Sequence, residues 1–227
     1  MIPSSNPIII QGGMGAGVSA WQLAKAVSQI GQLGVVSGTA LDTILSRRLQ
    51  LGDPGGHMRR ALAEFPLPEM ADRVLDRHFI PGGKAPESPF RALPLLSQAP
   101  SQEQMELIVV ANFVEVFLAR EGHDGLVGIN YLEKIQTPTL PSLFGAMIAG
   151  VDYVLMGAGI PTAIPAAISE LSAGNAVELS LKVDGADRNE PFHLQFDPSA
   201  QCFVGDEEAN GLLRRTYREP FVLPEKI

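Results

Sequence analysis

Residues 8–20 read IIIQGGMGAGVSA, an aliphatic run followed by four glycines and a methionine. Glycine at that density lets a backbone approach something closely: a phosphate, a flat ring, or another stretch of the same chain. Gly15-Ala16-Gly17-Val18-Ser19-Ala20 satisfies G-x-G-x-x-A between a predicted strand and a predicted helix. Asp42 follows at about the 20-residue spacing of an acid that binds a ribose. That acid should end the second strand, where the chain instead carries Ser37-Gly38-Thr39. The plainer alternative is that the glycines only serve a tight strand-to-helix turn.

The other residues that could do chemistry are dispersed. His57, His78, His123 and His193 show no H-x-x-x-H or carboxylate spacing for a metal, so no metal site is expected. Gly55-Gly56-His57, beside Arg59 and Arg60, reads as a solvated basic loop. Cys202 has no neighbouring His or Lys and reads as an inert thiol. Asp184, Asp187 and Glu190 fall in a predicted turn and suit solvent. Asp206, Glu207 and Glu208 form a short acidic run that caps or solvates a helix.

The elements that must position these residues alternate. Residues 7–10 predict a short buried strand, and Ser19 an N-cap for a helix carrying Trp21, Leu23, Ala24, Val27 and Ile30. Residues 33–36 predict a second strand and 41–51 a second helix. Residues 52–100, rich in Pro, Gly and charge, form an insertion with at most one short helix over 68–77. A long apolar helix follows over 103–120, then strand 125–130, helix 140–149, strand 152–156 and helix 161–171. VELSLKVDGADRNEPFHLQF reads as two extended arms about a turn, a hairpin. This is an α/β chain: units 1–2 over 1–51, the insertion over 52–100, units 3–4 over 101–175, and hairpin plus extension over 176–227. Four strand–helix units in the order 1-2-3-4 imply a parallel sheet with crossover helices.

The bulk composition bounds the class. The 227 residues, 45% of them hydrophobic, suffice for one large domain or two small ones. A net charge of −8 with scattered basic residues argues against a nucleic-acid surface. The single cysteine excludes an internal disulfide framework and fits a reducing compartment. Neither a signal peptide nor a membrane-spanning stretch is expected, so the predicted location is cytoplasmic.

Taken together, PIIIQGGMGAGVS, GQLGVVSGTALD, GLVGINYLEK and AGVDYVLMGAGIP resemble, in order, the nitronate monooxygenase (2-nitropropane dioxygenase) family. The GDPGGHMRRALAEFPLPEMADR insertion is similar to that of its long-chain branch. The resemblance implies a (β/α)8 TIM-barrel type fold, of which this chain supplies about the first four units, with FMN bound at the carboxyl ends of the strands. Gly12, Gly13, Met14, Gly38, Thr39 and Asn130 fall there, and the resemblance implies that they bind the cofactor: backbone approaching the flavin edge, Met14 offering a polarizable surface, Asn130 a donor and acceptor. Gly157, Gly159 and Pro161 either shape the wall of that site or turn the chain into its helix.

The chain departs from the family in carrying Gly13 where proline is common before the methionine. Its last residue, Ile227, precedes the family's Gly-Gly-His motif and phosphate cradle. Gly55-Gly56-His57 lies in the insertion and does not take that motif's role, so no catalytic residue is assigned. The implied activity is oxidation of a small alkyl nitronate by oxygen. The alternatives are an FMN-dependent enoyl-thioester reductase and a non-catalytic interaction domain docking through helix 103–120. The insertion is expected to cover the substrate side or meet a second subunit, with Arg59, Arg60 and Lys84 either attracting an anionic substrate or forming a solvated basic loop. The open fourth strand is expected to favour homo-oligomers, and the FMN phosphate to lack its main anchor.

Overall fold

The computed structural model describes residues 7–97 and 100–181, with the backbone alone for Leu181 and Phe192–Phe196. Cys202, the acids at 184, 187, 190 and 206–208, and the side chain of His193 lie outside the described residues.

Helix α1 (Trp21–Gln29), strand β1 (Gly34–Ser37) and helix α2 (Leu41–Gln50) open the chain. Helices α3 (His57–Ala63), α4 (Pro68–His78) and α5 (Gln102–Arg120) follow. Strand β2 (Val127–Leu132), α6 (Thr139–Ile148), β3 (Tyr153–Gly157) and α7 (Ile164–Ser172) complete the alternation. The strands β1-β2-β3 are parallel neighbours in chain order, with Ser37 opposite Asn130 and Asn130 opposite Leu155. The α/β class and the sequential parallel order are as the alternation predicts. Strands β4 (Val177–Leu181) and β5 (Phe192–Phe196) pair antiparallel in a separate sheet, the expected hairpin.

The expected first strand is the exception. Residues 7–10 make only an isolated parallel bridge, Ile10 to Leu33. Far from being buried, Ile8, Ile9 and Ile10 are 90%, 60% and 59% exposed. The Gln32 side chain takes the place of a ladder, its Oε1 accepting from the backbone N–H of Ile8 and Ile9. Beyond Leu33 N–H to Ile9 O at 3.1 Å and Gln11 N–H to Leu33 O at 3.0 Å, no backbone pairing holds the segment among the described residues.

The insertion also differs from its reading. It contains two helices, because Asp53 acts as a remote cap: its carboxylate accepts from the N–H groups of Met58 (2.9 Å) and Arg59 (3.0 Å). A cap displaced by the left-handed Gly55 and Gly56 is not where an N-cap is sought in sequence. Met58, Leu62, Phe65, Leu67, Met70 and Val74 of this segment belong to the same buried cluster as Leu49, Val110, Phe113 and Leu143. The segment is therefore part of the core.

Helix α5 is the axis of the molecule. It packs on α1, α2, α3, α4 and α6, and is buried on nearly every side. The reading of this helix as a docking face is thereby corrected: its apolar surface is already covered. A Ser101/Gln104 capping box starts it. Its three buried polar side chains all find partners. Glu106 receives a bidentate Arg73 (2.7–3.2 Å), Asn112 accepts from Tyr131 Oη at 2.8 Å, and Glu115 takes Arg48 at 2.8 Å.

Candidate functional site

The glycine loop is clamped over the carboxyl end of β1. Gln11 Oε1 accepts from Val35 N–H at 2.9 Å, while its Nε2 donates to Ser19 Oγ at 3.2 Å and to Gly12 O. Ser19 Oγ donates to Gly12 O (2.9 Å) and accepts from Met14 N–H (3.0 Å), and Ser19 O accepts from Ser37 N–H at 2.9 Å. Ser19 thus knots the loop rather than capping α1 as expected. Ala20 is the N-cap and makes no side-chain bond. The Trp21 N–H is met instead by Glu115 Oε1 at 2.7 Å.

What the glycines approach can now be read directly. A Cβ on Gly13 would lie 2.7 Å from Asn130 Cβ and 2.8 Å from Val35 Cγ1 and Val36 O. A Cβ on Gly38 would collide with the Tyr131 ring, and Gly38 N–H donates to Asn130 O at 2.8 Å. Gly15 and Gly17 hold φ of +68° and +71°, which side chains disfavour. Four of the conspicuous glycines therefore serve the chain itself. Gly12 is different, since a Cβ there would meet only Met14 Cγ at 3.5 Å.

Of the six candidate residues, Gly13 and Gly38 lie directly against Asn130 at the ends of β1 and β2, and Gly12, Met14 and Thr39 adjoin those two along the chain. Gly13 and Gly38 are packing residues within that group. Met14 is 69% exposed. Asn130 is half-buried, its Nδ2 reaching Tyr131 O only at 3.4 Å, and its Oδ1 has no partner among the described residues. Burial pushes the Tyr131 phenol well above its ordinary range, so it remains a donor to Asn112 and to Ser142 O at 3.0 Å. At the end of β3, Gly159 packs beneath the Glu133 side chain and Glu133 N–H donates to Gly157 O at 2.8 Å. The left-handed residue of this turn is Ala158, between the two glycines.

Other expectations change. The sequential strand order has no reversal of the kind at which doubly wound sheets bind dinucleotides. Asp42 lies in the first turn of α2, beyond the end of β1. The insertion cations are engaged by the chain. Arg59 pairs with Asp53 at 3.2 Å and covers the Phe79 ring, Arg60 pairs with Glu121 at 2.7 Å, and Lys84 sits over Phe90 and donates to Ser88 O at 2.6 Å. Arg59 and Arg60 thus have carboxylate partners within the chain, and Lys84 has carbonyl and ring contacts. His57, read as solvated, packs against Trp21 with ring centroids 5.2 Å apart.

The residues overlooked in the sequence are Glu106, Glu115 and the Ser46–His78 pair. Acids inside the apolar stretch QMELIVVANFVEVFLA were a legible signal, because a buried carboxylate demands a partner. Among the described residues no cluster of three or more His, Cys, Asp or Glu is placed to hold a metal, and no helix is long and apolar enough to cross a membrane. No protein-family model, curated protein or solved structure matches the chain.

Proposed function

We propose that the chain supplies about the first four strand–helix units, the first strand reduced to the Ile10–Leu33 bridge, of an FMN-binding (β/α)8 barrel in an oxidoreductase of nitronate monooxygenase type. One observation supports this reading: Gly13 of the glycine loop lies against Asn130, whose amide is underused, at the carboxyl ends of adjacent parallel strands, with Gly12, Met14 and Thr39 beside them in the chain. Active sites of parallel α/β barrels are built at that edge. The residues fit the rim of a flat heteroaromatic ring. Gly12 leaves its backbone approachable, Met14 offers a soft apolar surface, and Asn130 can both donate and accept. When bound, the flavin supplies the redox chemistry, accepting electrons from a nitronate and passing them to oxygen. The protein residues orient the ring. No phosphate cradle accompanies them among the described residues, so binding through this edge alone is weak.

Flavin fluorescence during FMN titration of the chain tests the reading. Weak, saturable quenching that Asn130→Ala abolishes is expected. Its absence at millimolar FMN overturns the assignment, and micromolar or tighter binding by a monomer overturns the half-barrel part of it. In an FMN-loaded protein, oxidation of a nitronate without NAD(P)H separates this activity from an enoyl-thioester reductase, which needs the nicotinamide. The exposed Ile8–Ile10 edge and the half-buried β3 make a homo-oligomer part of the same proposal.

A further inference from the structure

A second concavity, independent of the flavin reading, lies between α2, the end of α4, the start of α5 and the strap 91–96. Its volume is about 210 Å³, and its walls include Arg77, His78, Arg91, Leu93, Leu96 and Leu107. Four further polar groups line it: Asp42, Ser101, the Glu103 carboxylate and the Gln104 amide.

Most of its polar atoms are already used. Arg77 pairs with Glu103 at 2.7 Å. Ser101 and Gln104 bond each other in the capping box, and Gln104 Nε2 also reaches Pro94 O at 3.2 Å. The remaining chain of bonds fixes a proton. Arg91 N–H donates to Gln50 Oε1 at 2.7 Å, which orients the Gln50 amide. Its Nε2 therefore faces Ser46 Oγ, 2.9 Å away, and donates to it. Ser46 is 1% exposed and lies 3.0 Å from His78 Nδ1. With one lone pair occupied by Gln50 and no other acceptor among the described residues, the Ser46 hydroxyl gives its proton to Nδ1. Neutral His78 then carries its hydrogen on Nε2, which has no partner among the described residues.

The buried Ser46 cannot serve as a nucleophile toward a ligand in the cavity. What remains for a ligand is a fixed imidazole donor, the Arg91 guanidinium (tied at Nη1 to Arg77 O at 3.0 Å) and an apolar wall. We infer that this cavity binds a small organic monocarboxylate with a short apolar tail, its head on His78 Nε2–H and Arg91 and its tail against Leu93, Leu96 and Leu107. The local field agrees. Burial holds His78 below its ordinary value, Arg77 and Arg91 push the same way, and Glu103 opposes them more weakly. An anion beside the ring relieves that field. Asp42 and the Arg77-paired Glu103, both lining the cavity, disfavour a dianion.

The test is titration of the chain with hexanoate, followed through the His78 ring signal by NMR and assigned with His78→Gln. Hexanoate should saturate the signal, raise the pH at which His78 protonates, and bind more tightly as pH falls through that point. Arg91→Gln, which keeps the backbone bond to Gln50, should weaken binding about tenfold, the scale of a lost charge-assisted hydrogen bond. Leu96→Ser should weaken hexanoate but not acetate. Three results overturn the inference: no saturable shift at millimolar hexanoate, equal response to neutral hexanamide, or equal response to inorganic phosphate.

Discussion

The glycine loop of residues 11–19 and the insertion of 52–97 present opposite relations between sequence and structure. The loop has the composition of a ligand cradle, yet its Gly13 faces Asn130 and Val35 of its own chain, and Gly38 beyond it faces Tyr131. The insertion has the composition of an irregular lid, yet it delivers Phe65, Met70 and Val74 to the core and forms one side of a cavity. Glycine reports how closely a backbone is approached, without naming what approaches it. Proline and glycine punctuate a segment without deciding whether the stretches between them fold.

The largest expected effect tests the insertion's half of that contrast. Phe65 is 3% exposed and meets Phe113 edge-on at 4.9 Å. Phe65→Ala should cost about 3–5 kcal/mol in urea unfolding, whereas a lid residue would leave stability unchanged. Arg73→Ala comes next. It leaves Glu106, whose side chain is 2% exposed, without its bidentate partner. The expected cost is about 2 kcal/mol, below the range for fully buried pairs because Arg73 is itself 41% exposed. Glu106→Gln should cost less, since Arg73 can turn to water.

The loop's half is tested by a pair of substitutions. Gly13→Ala should destabilise by about 1–3 kcal/mol through overpacking against Asn130 and Val35. Gly12→Ala, whose Cβ would make only an ordinary contact with Met14 Cγ at 3.5 Å, should lie within about 0.5 kcal/mol of the parent. Were Gly12→Ala nevertheless to weaken FMN quenching, the ligand-facing and chain-facing glycines would be separated by experiment.

The smallest effect is on pH. His78 protonates less readily folded than unfolded, so below about 6.5 the unfolded chain binds the extra proton first. Its contribution is full above that pH and is lost as pH falls toward the depressed folded value. Urea midpoints from pH 7.5 to 5 should decline more for the parent than for His78→Gln.

Local order was legible where one segment suffices to decide it. Helical spacing placed Trp21, Ala24 and the α2 and α5 boundaries within a few residues, and the alternation of apolar runs with turns predicted the parallel sheet and the hairpin. Such patterns are properties of neighbours along the chain, so periodicity suffices to find them. The site was legible only as a location. Residues at the ends of β1 and β2 do gather, but their roles divide according to what each Cβ position meets.

The sequence by itself determined the α/β alternation, because burying one face of each element dictates its apolar spacing. Only the tertiary structure decided which carboxylate caps α1, since Glu115 lies 94 residues from Trp21. It likewise decided that Gln32 substitutes for a strand ladder, that Asp53 starts α3 from a distance, and that Ser46 Oγ lies 3.0 Å from His78 Nδ1. Hydrogen-bonding groups have no preference for sequence neighbours over distant ones; they bond whatever close packing brings within about 3 Å, and that proximity exists only once the chain is folded.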